Sequence, residues 1–417
     1  MLSDSLQILK NREFTWFLFA RFFITLAIQM QMSTIYLQMY YEYYRGDELA
    51  LGLIGLAEII PFILVSFFSG HVADIVSRRK ILVLGCLALF AGSAFLWAFS
   101  SHAFTILKTA GVIALFSVVL SFGVIRAFLS AATQPFMSQL TPRHMYSQAA
   151  TWNTTVWHTA AILGPVLAGI IYGFKDGNHA DWCYAVNCIL FLLSMLFYFL
   201  IRPKTIPAKE KKETLLESIG SGLRFVYNNN MILSALSLDM FAVLFGGAVA
   251  IIPAFTDKIL HLGPEAYGLL RTAPAIGAVV TSFFLAFRQP GKRAGFDLLW
   301  TVAAFGVCTV LFALCTNYWL AFAMLFLTGA FDNVSVVIRQ TVLQLMTPDN
   351  MRGRVSAVNN IFVGSSNEIG AFESGAMARL MGLVPSIIFG GSMTVVVVGI
   401  INKLNPELKK LDLSKIE

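Results

Sequence analysis

The chain has 417 residues, of which 57% are hydrophobic and only 13% are charged, with a mean hydropathy of +0.72. A water-soluble domain usually has about 25% charged residues, so this composition excludes a soluble globular protein. The net charge of +7 does not indicate nucleic-acid binding, because the sequence has no basic soluble domain. The five cysteines show no zinc or haem spacing, and we interpret them as small buried side chains.

Apolar runs near 20 residues long, the length of a membrane-spanning helix, recur along the whole chain. They do not show the short-period alternation of barrel strands. The predicted fold class is an all-α polytopic membrane protein with twelve transmembrane helices. The predicted spans in chain order are residues 14–40, 50–73, 80–99, 108–137, 149–172, 182–201, 231–256, 265–287, 296–315, 318–345, 355–379 and 382–402.

The distribution of positive charge predicts the orientation of these spans. With the N-terminus inside, 21 lysines and arginines fall on the inner side and five on the outer side. Positive charge is enriched in cytoplasmic segments, so both termini are expected in the cytoplasm of a cell with the chain in its inner membrane. Inner-leaflet lipids are then natural partners of the basic segments.

The second half of the sequence repeats the first. LTPRHM at 140–145 returns as MTPDNM at 346–351, and at the same shift Gly164 and Gly169 meet Gly370 and Gly375. Earlier in each half, Gly52 corresponds to Gly268. Six spans per half give both halves the same orientation, which is a parallel repeat. The predicted domains are a six-helix bundle at 1–201, a cytoplasmic linker at 202–230, a second bundle at 231–402 and a tail at 403–417.

Ionisable residues inside the predicted spans are the first candidates for transport chemistry. A charge at the bilayer centre costs about 2.5–3.5 kcal/mol, so such residues are expected to face a bundle interior or a wet cavity. Burial favours the neutral carboxylic acid, which lets a carboxylate take up and release a proton near neutral pH. The predicted proton-coupling residues are Asp239, Glu368, Glu58, Asp332, Glu373 and Arg126.

Two pairing schemes are open for these charges. Arg126 and Asp332 occupy equivalent positions in the two halves, and so, roughly, do Arg21 and Asp239. Such charge-swapped positions predict ion pairs across the pseudo-twofold axis. Pairing within one half, such as Asp239 with Arg339, is the alternative.

Polar residues at helical spacing predict the wall of a cavity. The candidates are Arg21, Gln29, Gln31, Asn153, His158, Arg339, Asn360 and Asn367. His158 is equally consistent with a bond to neighbouring backbone. Because no His or Cys cluster accompanies the Met and Gln of the first span, neither a metal site nor a cofactor is predicted.

Three sets of motifs carry a resemblance to a known family. Gly70-x-x-x-Asp74-x-x-x-Arg78-Arg79 resembles the signature loop of the major facilitator superfamily, although Ile75 and Ser77 stand where a basic residue and a glycine are usual. Ala160-x-x-x-Gly164-Pro165-x-x-Ala168-Gly169 resembles the antiporter motif of proton-driven exporters. Segments such as FDNVSVVIRQ at 331–340 resemble the branch of enterobactin and multidrug exporters.

The resemblance implies a secondary transporter that works by alternating access. The function predicted is proton-coupled export of an amphipathic small molecule of siderophore or drug type, by a monomer. In this interpretation Gly164, Pro165 and Gly169 provide antiporter-like helix packing, and Arg126 corresponds to an arginine tied to proton movement. An importer or facilitator is the alternative, a metal-ion transporter a weaker one. No nucleotide-binding or hydrolase motif is present, so an enzyme is not expected.

The basic loop after the second span predicts a cytoplasmic gate. Asp74 lies where that span meets the inner surface, and cations and a helix N-terminus begin the eleventh span. Asp74 is expected to latch the two halves on the cytoplasmic side. The predicted gate residues are Gly70, Asp74, Arg78, Arg79, Arg352 and Arg354.

Overall fold

A computed structural model describes the chain apart from residues 1–7, 45–46, 102–110, 143–144, 177, 204–214, 288–290, 292, 349–350 and 414–417. All regular secondary structure in the described residues is helical. The helices of the first half are α1 Arg12–Gln38, α2 Glu48–Ile75, α3 Arg78–Ser100, α4 Gly111–Leu140, α5 Tyr146–Tyr172 and α6 Ala180–Leu200. A π-helical segment, Met39–Tyr43, continues α1.

The second half opens with the linker helix α7 Leu215–Asn228. The helices that follow are α8 Asn230–Gly246, α9 Ile252–Lys258, α10 Pro264–Phe287, α11 Ala294–Ala313, α12 Tyr318–Met346, α13 Arg352–Met381 and α14 Leu383–Leu404. Eleven of the helical stretches in the described residues are long and apolar enough to cross a membrane. The 30-residue α13 is long enough as well, and it is the polar eleventh span of the prediction. The predicted fold class is confirmed.

The seventh predicted span is the one that the structure breaks. Instead of one helix over 231–256, α8 ends at Gly246, a 3₁₀ turn runs from Ala248 to Ile251, and α9 follows. Two successive glycines, Gly246 and Gly247, weaken the helix at this point, and Pro253 is suited to the first turn of a new one. The freed carbonyl of Gly247 accepts a hydrogen bond from the Ser374 hydroxyl, 3.3 Å away.

The chain divides into two compact units. Unit 1 comprises residues 1–45, 57–212 and 262–272, and unit 2 comprises 46–56, 213–261 and 273–417. Within unit 1, α1 packs on α5 and α6, and α3 packs on α4 and α6. Within unit 2, the equivalent helices pair in the same way: α8 packs on α13 and α14, and α11 packs on α12 and α14. The repeat seen in the sequence is therefore a repeat of helix packing.

The unit boundaries cut through two helices. The first turns of α2 cluster with unit 2, and the first turns of α10 cluster with unit 1. The linker helix α7 also belongs to unit 2, where Val226 is buried and Arg354 of α13 donates a hydrogen bond to Ser221, 2.9 Å away. The domain boundaries predicted from the sequence, at 201/202, 230/231 and 402/403, are not tested by this division and stay a prediction.

Candidate functional site

Each unit contains a buried ion pair between two of its long helices. In unit 1, Arg126 of α4 pairs with Glu58 of α2. In unit 2, Arg339 of α12 pairs with Asp239 of α8. The pairing of Asp239 with Arg339, one of the two predicted alternatives, is thus confirmed.

The two pairs differ in exposure. The side chain of Arg339 is 3% exposed and that of Asp239 is 5% exposed, so both charges are withdrawn from solvent. Glu58 is equally buried, at 2%, but the Arg126 side chain is 39% exposed and also lies over the Phe62 ring. The Glu58 backbone closely approaches Gly123, which leaves no room for a side chain there. The pairing of Glu58 with Arg126 was not predicted from the sequence.

Two other predicted carboxylates have a different environment. Asp332 of α12 is half-buried and makes no hydrogen bond or salt bridge with the described residues. Glu373 of α13 has a buried Oε1 atom without a hydrogen-bond partner in the described part of the chain. Glu368, one turn and a half earlier, packs against Gly55 of α2 within unit 2. Asp332 and Glu373 are therefore carboxylates that no arginine of the described structure neutralises.

Unit 1 contains an arginine and several neutral polar side chains with buried atoms that lack hydrogen-bond partners in the described part of the chain. The Nε atom of Arg21, on α1, is buried and has no hydrogen-bond partner among the described residues. The same holds for Asn153 Oδ1 and His158 Nδ1 on α5 and for the Tyr198 hydroxyl on α6. These polar atoms retain their capacity to bind a polar molecule. Three of the four were predicted cavity residues.

Gln31 makes a structural contact as well, although its Nε2 atom lacks a hydrogen-bond partner among the described residues. Gln31 is fully buried, and its side chain accepts a hydrogen bond from Ser93 of α3. One heptad further along both helices, Gln38 donates to Ser100 at 3.1 Å. Together these bonds tie α1 to α3, as interhelical polar bonds do in membrane proteins.

The remaining predicted cavity residues are spread between packing and surface positions. Gln29 is half-buried, and its Cβ atom would lie 2.6 Å from a methyl group at Gly164. Asn367 is exposed and donates to the Val363 carbonyl of its own helix, 2.8 Å away. The side chain of Asn360 is outside the described residues.

Three predicted gate arginines bind carbonyl or hydroxyl oxygens. Arg79 donates to the carbonyls of Tyr198 and Phe199, 3.0 and 2.7 Å away, at the C-terminal end of α6. A cation there also compensates the negative end of the helix dipole. Arg78 reaches the Pro135 carbonyl at 3.4 Å, and Arg354 is bound to Ser221. The side chains of Asp74 and Arg352 lie outside the described residues, so the Asp74 latch stays a prediction; Gly70 has open space around it.

The glycines that matched in the sequence repeat form two equivalent close helix contacts. A methyl group at Gly169 of α5 would lie 2.9 Å from the Gly268 Cα atom, inside unit 1. A methyl group at Gly375 of α13 would lie 2.9 Å from the Gly52 Cα atom, inside unit 2. Gly164, beside Pro165, brings α5 equally close to α1. Only glycine permits backbones to approach in this way.

The duplicated, glycine-packed helices are those of a known protein family. A profile of the Major Facilitator Superfamily matches residues 17–371. The chain belongs to the Major Facilitator Superfamily. The resemblance seen in its motifs is therefore confirmed, and the chain is a membrane transporter and not an enzyme.

Relatives within the superfamily include exporters and transporters of different cargo. The chain is 21% identical to the staphyloferrin A transporter of Staphylococcus aureus over 86% of its own length and 88% of that protein. It is 23% identical to the multidrug efflux pump Tap of Mycolicibacterium fortuitum over 89% and 90% of the two chains. The crystal structure of a D-xylose–proton symporter superposes with a TM-score of 0.70, covering 99% of both chains at 15% identity, which shows the shared fold.

Two ion pairs were missed by sequence reasoning because their residues lie at span ends. In unit 2, Lys258 of α9 lies 2.5 Å from Glu48, and Arg379 of α13 lies 3.3 Å from Asp47. Glu48 begins α2, while Lys258 and Arg379 stand near the C-terminal ends of their helices. Each charge thus compensates the dipole of its own helix, and this placement of acids at helix starts and bases at helix ends was readable in the sequence.

Proposed function

We propose that this protein is a proton-coupled exporter of an amphipathic small molecule, of siderophore or drug type. The names of its superfamily relatives, a staphyloferrin A transporter and a multidrug efflux pump, support this class of cargo. We place both termini in the cytoplasm and the chain, as a monomer, in the inner membrane, because positive charge is so unevenly distributed along the sequence.

The observation that supports proton coupling is that Asp332 makes no salt bridge within the described residues. A transporter driven by a proton gradient needs a group that binds a proton on one side of the membrane and releases it on the other. Asp239 and Glu58 are each held by an arginine, whereas Asp332 makes no salt bridge within the described residues. An opposite charge nearby favours the ionised carboxylate, and its absence makes protonation easier. We therefore rank Asp332 and Glu373 ahead of Asp239, Glu368 and Glu58 as proton carriers.

Transport in proteoliposomes with an imposed pH gradient tests this function. Purified protein is reconstituted, and uptake of a panel of dyes and siderophores is followed in oriented vesicles. We expect a gradient-driven flux that falls at least tenfold in Asp332→Asn and is retained in Asp297→Asn, a carboxylate at the start of α11. A flux that ignores the gradient, or that persists unchanged in both Asp332→Asn and Glu373→Gln, overturns the coupling. A flux in the opposite direction identifies an importer.

A further inference from the structure

The end of α1 departs from α-helical geometry at a carboxylate. After Gln38 the chain continues as the π-helical segment Met39–Tyr43, closed by a hydrogen bond from the Tyr44 amide to the Met39 carbonyl at 2.9 Å. π-Helical turns are rare and are found frequently at functional sites. This one contains Glu42, which is exposed at the end of α1 that the charge pattern assigns to the outside.

Both oxygens of the Glu42 carboxylate accept hydrogen bonds. Gln38 donates to Oε2 at 2.9 Å, and the Tyr172 hydroxyl of α5 donates to Oε1 at 2.9 Å. The Tyr184 hydroxyl of α6 donates to Gln38 at 2.8 Å, and the second amide hydrogen of Gln38 points to Ser100 of α3. One carboxylate is thus held by a network that reaches three neighbouring helices.

Among the described residues, the groups that face Glu42 are neutral or acidic. Its own segment presents Tyr43, α3 presents Ser100 and α5 presents Tyr172. Helix α6 presents Asp181, Cys183 and Tyr184. No salt bridge to Glu42 exists within the described residues. Neutral donors can hold a carboxyl group in either protonation state, because a protonated carboxyl still accepts at one oxygen. An arginine, by contrast, would fix the ionised state.

We propose that Glu42 is a proton-binding site at the outer end of unit 1, where the coupling proton enters from the outside. The inference rests on the proposed function, since it assigns a second carboxylate to the same proton. Gln38, Tyr172 and Tyr184 are positioning residues: Gln38 and Tyr172 orient the carboxylate, which is exposed at the outer end, and Tyr184 orients Gln38. Proton transfer at this site is a simple equilibrium, in which the Glu42 carboxylate takes a proton from outside water and later gives it up.

The dependence of transport on outer pH tests this site. In oriented proteoliposomes, the inner pH is held constant and the outer pH is varied while flux of the reconstituted cargo is measured. We expect Glu42→Gln to require at least about tenfold more outer protons for half-maximal flux, a shift of one pH unit or more. Glu265→Gln, an exposed acid at the start of α10, serves as the matched control and is expected to keep the wild-type profile.

Tyr172→Phe separates a proton site from a structural one. It removes one donor from the ionised carboxylate, so half-maximal flux is expected at a higher outer pH, with the carboxylate still present. A Glu42→Gln profile that coincides with wild type, in protein that still follows the gradient, overturns this inference and leaves the proposed function standing. Wild-type flux that ignores the gradient overturns both.

Discussion

Units 1 and 2 have the same helix packing and opposite unsatisfied charges. The same four pairs of equivalent helices pack in both units, and each unit contains one of the two glycine–glycine contacts related by the sequence repeat. In unit 1, Arg21 makes no salt bridge among the described residues and its buried Nε lacks a hydrogen-bond partner there, whereas the buried Arg339 of unit 2 is paired with Asp239. Unit 2 instead contains the carboxylates Asp332 and Glu373, which make no salt bridge among the described residues. Duplication has therefore preserved the packing, and the chemistry of the two units has diverged.

The difference indicates a division of roles under the proposed function. Carboxylates without an arginine suit proton binding; Asp332 and Glu373 belong to unit 2, and the proposed proton-binding carboxylate of unit 1, Glu42, lies at the outer end of α1. A guanidinium that makes no salt bridge among the described residues suits an anionic or polar group of the cargo, and Arg21, in unit 1, is such a group. Mutations of charge are expected to affect the two units differently, whereas mutations of packing are expected to affect them alike.

The largest difference is expected from breaking the two ion pairs. Asp239→Asn leaves Arg339 buried and without its counter-ion, at a cost of about 3–5 kcal/mol. Glu58→Gln removes the carboxylate that pairs with Arg126. Because the Arg126 side chain is 39% exposed and can be partly hydrated, a clearly smaller loss of stability is expected. Thermal unfolding in detergent micelles measures both, and the melting temperature should fall further for Asp239→Asn.

A double variant identifies the cause of that loss. Replacing a buried ion pair by apolar side chains of similar volume is often neutral, so Asp239→Leu with Arg339→Met should recover most of the stability. Equal destabilisation by Asp239→Asn and Glu58→Gln, or no recovery in the double variant, would contradict the comparison of the two pairs.

The sequence predicts the helices well because membrane spans are defined by composition and length. Its failure at 231–256 is instructive, since Gly246, Gly247 and Pro253 were visible signals of a break inside an apolar run. Hydropathy averages over about twenty residues and does not register a local loss of helical geometry.

Charge pairing could be predicted only in part. The sequence identifies which residues are charged at membrane depth, but the partner depends on how each helix is rotated about its axis. Asp239 and Arg339 were recognised from their similar depth, while Glu58 and Arg126 were not connected. Glu42 was overlooked because a charge at a span end is common, and only its hydrogen bonds distinguish it.

Alanine substitutions at the glycine contacts test the shared packing, and they should destabilise both units to a similar extent. A methyl group at Gly169 would lie 2.7 Å from the Pro264 carbonyl oxygen, and one at Gly375 would lie 2.6 Å from the Glu48 carbonyl oxygen. Overpacking of this kind costs about 1–3 kcal/mol. We expect Gly169→Ala and Gly375→Ala to lower the melting temperature by similar amounts.

Gly399→Ala is the matched control for these substitutions, because nothing lies within 4 Å of a methyl group at that position of α14. Alanine also favours a helix over glycine, so this variant should be neutral or slightly stabilising. If Gly399→Ala were as destabilising as the other two, loss of helix contact would not be the explanation.

The smallest expected effect concerns the asparagines that begin α1 and α8. Asn11 accepts from the amides of Glu13 and Phe14, and Asn229 accepts from those of Met231 and Ile232. Replacing either by alanine should cost about 0.5–2 kcal/mol.

Aspartate separates the two positions, because it keeps the capping oxygen and removes the amide donor. Asn229→Asp should be nearly neutral. Asn11 also donates to the Leu140 carbonyl of α4 at 2.9 Å, so Asn11→Asp loses that bond and places a carboxylate against the carbonyl. A melting temperature that falls for Asn11→Asp and holds for Asn229→Asp would show that equivalent caps differ only in the link to α4. Equal responses of the two aspartate variants would mean that the hydrogen bond from Asn11 to the Leu140 carbonyl contributes nothing measurable to stability.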